Sequence, residues 1–401
     1  IRDKEVAACL RESGLAAYDR HVILALAAAR EALSQAGVVP REWGRRMGFI
    51  FSTCSGPMLL IEAHYERILA GQPELSAEEL YAKRYYAGAQ ILAQRLGIGG
   101  PCTTVVTACT ASTAAIGLAA DLIRCGVIDG ALAGGADSFS LSTLAGFDGL
   151  KATSEGRCAP FSKPYGLNLG EAAGFVFLER EERARERGAR VRAELLGTGM
   201  SNDAYHPSAP EPSGRGLASA IRRALADAGV EPSRIGYINA HGTGTEANDK
   251  AEARAMRKVF GGHTEHVPVS STKSQLGHCL GAAGAAEVIA TILCAEAGVL
   301  PSTAGFTQPR EGCALDCVPQ PGRPWVGSRV FLSNNAAFGG HNASLVASVL
   351  GPEPAEVGRK RREAETGAEV VITGCGVVTA LGVGAEVLLA GVAGAGSGLG
   401  G

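Results

Sequence analysis

The 401 residues are poor in aromatics, carry no excess of charge of either sign, and hold no long apolar run. Only 5% are Phe, Trp or Tyr, so Ala, Val, Leu and Ile must fill the core of a chain that is 46% hydrophobic. The 38 basic residues nearly match the 40 acidic ones, for a net charge of −2. That balance removes the electrostatic reason to expect nucleic acid or an anionic membrane surface as the main partner. No stretch is apolar for long enough to span a bilayer, and no basic–apolar–small leader opens the sequence. A cytoplasmic protein is expected. The 11 cysteines are odd in number and scattered. Such use points to reduced thiols rather than a disulfide framework. The nearest pair, Cys313 and Cys317 in "EGCALDCVP", has no second Cys/His pair at zinc spacing, so no metal site is expected.

What is present is punctuation and alternation. The length suits two or three domain-sized units, or one large bilobal one. Short apolar strands such as "MGFIFST", "GALAGGADS" and "GFVFLERE" alternate with Ala-rich helices such as "HVILALAAAREALSQAG" and "AAEVIATILCAEAG". This alternation implies an α/β architecture with helices covering buried sheets. "RVFLSNNAAFGGHNASLVASVL" reads as a hairpin about a Gly-Gly turn. One segment breaks the pattern. Residues 351–369, "GPEPAEVGRKRREAETGAE", are charged and proline-rich with no apolar face, as in a solvated linker. After it comes "VVITGCGVVTALG" (370–382), which reads like an opening strand and glycine turn, although it stands near the end. "GVAGAGSGLGG" then trails off in glycine, with no further element expected.

Four motifs carry chemistry. In "TTVVTACTASTAAIGLAADLI", β-branched residues 103–106 suggest a stiff buried strand, followed by helix-favouring small residues. Cys109 falls at the junction, where the helix macrodipole favours a thiolate and backbone N–H groups can stabilise an oxyanion. In "YINAHGTGTEANDKAEA", a strand delivers His241 to a loop holding Thr243 and Thr245, at the end of the sheet where α/β folds place ligands. "SSTKSQLGHCLGAAGAAEV" sets Lys273 after a short strand, His278 at a turn and Glu287 on a small-residue helix. Phe338, before Gly339-Gly340, is either hairpin packing or an aromatic on a flexible pivot. A sulfur nucleophile, two imidazoles and an ammonium on separate loops form the inventory that acyl transfer through a thioester requires.

"TACTAS", "NAHGTGT", "STKSQLGHCLGAAGAAE" and "FGGHN", in that order, resemble the β-ketoacyl-acyl-carrier-protein synthases of the thiolase-like superfamily, most of all the discrete elongating enzymes of type II systems. The resemblance covers residues 1–350 and the displaced opening stretch. It implies a five-layered αβαβα fold of two pseudo-equivalent halves: residues 1–186 with 368–401, and 187–350, joined by a linker at 351–367. By motif, Cys109 accepts the acyl chain from carrier-protein phosphopantetheine. His241 and His278 bind the malonyl thioester carbonyl and assist loss of carbon dioxide, and Lys273 with Glu287 holds the polar network. Thr243, Thr245 and Ser208 contact the pantetheine arm. The backbone of Cys109 and Phe338 supplies an oxyanion hole, with the Phe338 ring as gate. The implied partners are an acyl-carrier protein and a second subunit, either another copy or a chain-length-factor-like relative. No cofactor is expected beyond the carrier's own phosphopantetheine. The resemblance leaves a fatty-acid and a polyketide/polyene pathway open, and the departure from the usual acidic turn in "YGLNLGEAAG" hints at the polyketide or polyene side.

The chain also departs from the pattern. Ala336 and Ala337 stand where the family often has "F-G" before the gating Phe, so no chain-length preference carries over. His341 is expected to be loop packing, and "YGLNLGEAAG" lacks the usual acidic turn. Three other readings use the same fold. A chain-length-factor-like subunit usually lacks the nucleophilic cysteine, which is present here. A degradative thiolase would want a late Cys-Gly motif, which is absent. A decarboxylating or starter-selecting synthase would use the same residues, and only products separate it. The displaced strand fits a circular permutation, the start of a second synthase, or a numbering artefact. Among these readings, residues 370–376 are expected to fill the first-strand slot of this same fold, with 370–373 buried and paired and Cys375 as packing, because an empty slot leaves unpaired backbone.

Overall fold

The computed structural model describes residues 15, 17–73, 75–350 and 368–394. Its strands are β1 (Met47–Ser52), β2 (Cys102–Val105), β3 (Gly130–Asp137), β4 (Ala172–Arg180), β5 (Ala193–Asn202), β6 (Tyr237–Asn239), β7 (Pro268–Ser270), β8 (Val299–Leu300), β9 (Asp316–Cys317), β10 (Arg323–Pro324), β11 (Val330–Ala336), β12 (His341–Val349), β13 (Val370–Thr379) and β14 (Gly382–Val383). Strands β8 and β10 pair separately; the others form one hydrogen-bonded surface in the order β2-β1-β3-β4-β13-β5-β12-β11-β6-β7-β9, with β14 beside β13.

Read outward from its centre, that order repeats. The runs β13-β4-β3-β1-β2 and β5-β12-β11-β6-β7 each begin with two antiparallel pairings and end with two parallel ones. The two runs meet where residues 370–372 of β13 pair with β5. Helices α2 (Ala111–Arg124) and α5 (Ala283–Glu296) share the central core with strands of both runs. Helix α1 (Arg20–Ala36) covers one outer face with Phe49, Phe51, Phe175 and Phe177. Helices α3 (Arg215–Ala228) and α4 (Glu246–Phe260) cover the other. This is the five-layered αβαβα arrangement. Local chemistry sets the boundaries: the Asp19 side chain caps α1 by accepting from His21 N, and Gly37 closes it with φ +63°.

The displaced strand is part of the core. All ten residues of β13 are buried, and the strand pairs with β4 and β5. Each buried Val or Ile contributes about 1.5–3 kcal/mol of transfer free energy. Cys375 is buried packing, as expected. Strand β13 also has a counterpart. "VVITGCGVVT" and the "AELLGTGMSN" of β5 are both ten residues long with glycine at the fifth and seventh positions. A Cβ on Gly374 or Gly376 would lie 2.0 or 1.9 Å from carbonyls of α1; one on Gly197 or Gly199 would lie 2.6 or 2.2 Å from carbonyls of α3. In both halves, glycine lets the covering helix lie against the first strand.

Two expectations are corrected. Residues 103–106 are not a buried strand: β2 is an edge strand paired only with β1, its residues are exposed or half-buried, and Val106 is 48% exposed. A run of β-branched residues suits an edge and a centre equally. "GVAG" does not simply trail off, since helix α6 (Ala385–Ala393) runs through Gly391. The linker 351–367 and the final glycines lie outside the described residues. Among the described residues, no single helix is long and apolar enough to cross a membrane.

Candidate active site

The nucleophile candidate stands on a tight elbow. Strand β2 ends at Val105, a 3-10 turn spans Ala108–Thr110, and α2 begins at Ala111. The elbow holds Ala108 at φ 49°, left-handed space that costs a non-glycine residue about 1 kcal/mol or more. Cys109 is 5% exposed and lines a cavity of about 390 Å³. The macrodipole expectation is outweighed here: burial pushes the Cys109 thiol up to about 12, with the Lys273 charge pulling it down and Asp137 opposing. The resting group is a thiol.

The second half supplies the imidazoles. His241 follows β6 and lines the same cavity, as do His278, Thr243, Thr245, Ser208 and Phe338. The two imidazoles meet edge-to-face with centroids 5.5 Å apart. Burial, and then the Lys273 charge, hold both well below the usual histidine range. They are therefore neutral at pH 7, and each carries one N–H. His278 Nδ1 accepts from Leu280 N at 3.2 Å, which leaves its proton on Nε2. His241 Nδ1 has no hydrogen-bond partner among the described residues. Lys273 and Glu287 form a buried ion pair, both side chains 2% exposed. The Phe338 ring stacks on Phe147 at 5.3 Å, and Phe147 in turn touches the His278 ring edge-on. Gly339 and Gly340, at φ +81° and +79°, make the turn behind it possible. His341 is exposed at the start of β12.

Several residues that hold this site were not singled out in the sequence. On α4, Glu252 accepts from the backbone N of His241 and Gly242, each at 2.8 Å. Asp249 accepts from Gly244 N and Phe161 N, and pairs with Arg310 at 3.3 Å. Arg310 also donates to Gly244 O and stacks over Tyr165. Asp249 and Glu252 are three apart on one helix, so both face the His241 loop; "NDKAEA" after a histidine loop is the signal that could have found them. Asp137, fully buried, accepts from Thr53 Oγ1 and from the N–H groups of Cys54, Ser55 and Gly281. No cluster able to hold a metal occurs among the described residues. A larger hollow of about 670 Å³ by Trp43 shares no lining residue with this cavity, and its arginines are spoken for: Arg180 and Arg183 converge with Arg46 on Asp129, and Arg187 pairs with Glu179.

A buried cysteine on an elbow, facing two neutral imidazoles inside a doubled αβαβα fold, defines the thiol-dependent condensing enzymes of the thiolase-like class. The chain belongs to the beta-ketoacyl synthase family: residues 9–184 match its N-terminal domain and 192–307 its C-terminal domain. It is 41% identical over 335 residues to "Nodulation protein E" of Rhizobium sp. (strain N33), covering 82% of this chain and 83% of that one. It is 37% identical over 358 residues to "3-oxoacyl-[acyl-carrier-protein] synthase 2" of Coxiella burnetii (strain RSA 493 / Nine Mile phase I), covering 87% and 86%. Among solved structures, "The ishigamide ketosynthase/chain length factor" superposes with TM-score 0.79 at 38% identity over 84% of both chains. A type II ketosynthase bound to its acyl-carrier protein, AntDE:AntF, superposes with TM-score 0.78 at 30% identity, covering 82% of this chain and 85% of that one.

Proposed function

We propose that this chain loads an acyl group from a carrier-protein thioester onto Cys109 and condenses it with a malonyl thioester, releasing carbon dioxide and a β-ketoacyl thioester. The observation that carries this reading is the convergence of Cys109, His241 and His278 on one cavity. In the first step the Cys109 Sγ–acyl bond forms, the thioester bond between the acyl carbon and the pantetheine sulfur breaks, and the thiol proton leaves with the pantetheine sulfur. Because the resting thiol is neutral, a base must carry that proton; the unpartnered Nδ1 of His241 is the group we assign. In the second step the malonyl C–C bond to the carboxylate breaks and its electron pair moves into an enolate. N–H groups of the two neutral imidazoles stabilise that oxygen, a charge present chiefly in the transition state. The enolate carbon attacks the acyl carbon, and Cys109 leaves as thiolate and is reprotonated.

Thr243, Thr245 and Ser208 line the approach and suit the amides of a pantetheine arm. The donor is then an acyl-carrier protein, as in the AntDE:AntF complex. The exposed edge strand β2, which leads to the nucleophile, supports pairing with a second subunit, of the same chain or of a chain-length-factor kind. Product analysis with acyl- and malonyl-carrier protein tests the reading. A β-ketoacyl product extended by two carbons is expected. Acetyl-carrier protein alone would mean decarboxylation without condensation, and would overturn it.

A further inference from the structure

Glu287 uses one carboxylate oxygen, Oε1, for Lys273. The other oxygen, Oε2, accepts from Asn335 Nδ2 at 2.8 Å. Asn335 Oδ1 is in turn bonded by the hydroxyl of Thr113, on the helix that begins just after Cys109. All four side chains are buried. An ionised carboxylate only accepts and a hydroxyl can donate, so the amide has one orientation. The crossing is close: a Cβ on Gly284 would lie 2.0 Å from Thr113 Oγ1 and 2.7 Å from Asn335 Oδ1. Asn335 therefore touches both the ion pair of the second half and the nucleophile helix of the first.

We infer that Asn335 is a positioning residue for the condensation step: it fixes the second oxygen of Glu287, holds that carboxylate in place against Lys273, and ties the pair to the nucleophile helix. This rests on the ketosynthase reading above. A buried carboxylate that loses a donor is left with unmet hydrogen-bonding capacity and holds its ammonium partner less firmly. The Lys273 charge acts on Cys109, His241 and His278 alike. On that reading its main effect falls on the enolate oxygen that forms beside the two imidazoles in the decarboxylation.

Two variants test the assignment by two half-reactions, malonyl-thioester decarboxylation and acylation of Cys109 by an acyl thioester. Asn335→Leu keeps the volume and removes both hydrogen bonds; decarboxylation is expected to fall about tenfold or more, with acylation changed about threefold or less. Asn335→Asp sets a second carboxyl against Glu287, and two carboxyls in contact share one proton. Its activity is expected to fall at high pH and recover toward about pH 6, where the shared proton restores the donor. Equal losses in both half-reactions, or no loss, for Asn335→Leu would overturn the assignment. So would a pH profile of Asn335→Asp parallel to that of the unaltered protein, which decides the matter if Asn335→Leu does not fold. Unaltered protein inert toward both thioesters would overturn the ketosynthase reading itself; an active one with unaffected variants overturns only the role of Asn335.

Discussion

The two halves of this molecule share a topology and differ in what they do with it. Each has an elbow, a 3-10 turn leading into a helix of fourteen residues: Ala108–Thr110 before α2, and Leu280–Ala282 before α5. Each elbow begins with a non-glycine residue in left-handed space, Ala108 at φ 49° and Leu280 at φ 51°. The middle residue is Cys109 in one and Gly281 in the other. A Cβ on Gly281 would lie 2.5 Å from Cys54 N and 2.6 Å from Asp137 Oδ2, so that elbow has no room for a side chain. It spends its backbone N–H on Asp137 instead, one residue after Leu280, whose N–H donates to His278 Nδ1. The fold thus builds the same strained turn twice. One copy presents a thiol, and the other anchors an imidazole.

The strongest way to break this division is to remove the imidazoles. His241→Ala and His278→Ala are each expected to lower decarboxylation by about 10²–10³-fold. His278→Ala should leave acylation of Cys109 nearly intact, whereas His241→Ala should slow that step as well. Single-turnover measurements of the two half-reactions separate these outcomes; equal behaviour of the two variants would remove the proton-transfer role given to His241.

Gly281→Ala probes the second elbow directly. The added methyl must displace Asp137 or the turn, at about 1–3 kcal/mol, and move His278. Thermal unfolding and decarboxylation should both fall, and a variant matching the original in both would show the elbow to be roomier than the geometry states. A matched pair sharpens the comparison between the first strands. Gly376→Ala in β13 and Gly199→Ala in β5 force a methyl onto α1 and α3 respectively, and each is expected to destabilise by about 1–3 kcal/mol. A neutral Gly376→Ala beside a costly Gly199→Ala, by denaturant unfolding, would show that the displaced strand does not occupy its slot in solution.

The smallest expected effect lies at the seam where that strand enters. Glu181 N donates to Glu369 O, and the neighbouring Glu369 carboxyl, with burial, raises the Glu181 carboxyl to about 7. A carboxyl raised above its unfolded value contributes stability that is present at low pH and is lost as pH climbs from the ordinary carboxylate range through about 7. Glu181→Gln should flatten that portion of the stability–pH curve, read as Tm against pH; an unchanged slope would put the dependence elsewhere.

Much of this was legible in the sequence, for a physical reason. Cys109, His241, Lys273 and His278 stand where short apolar strands give way to small residues and glycine, and strand ends are where an α/β fold exposes side chains to a common cavity. The strand pattern of 370–379 likewise stated its own need for partners. The rest depends on contacts between residues far apart in the chain. Asp137, Asp249, Glu252, Asn335 and Arg310 look like any polar residue until the fold buries them against backbone donors and one another. Helix position alone suggested a thiolate at Cys109, but burial, which no local pattern reports, opposes it. The paired glycines of "GTGMS" and "GCGVV" were visible as letters; their equivalence needed both helices in place.

The central claim is that Cys109 is the residue the second half works upon. Incubation with an acyl-carrier-protein thioester, followed by intact-mass analysis, tests it most directly. One acyl adduct per chain is expected on the unaltered protein and none on Cys109→Ala. An adduct that persists in Cys109→Ala, or none on either protein, would contradict the account.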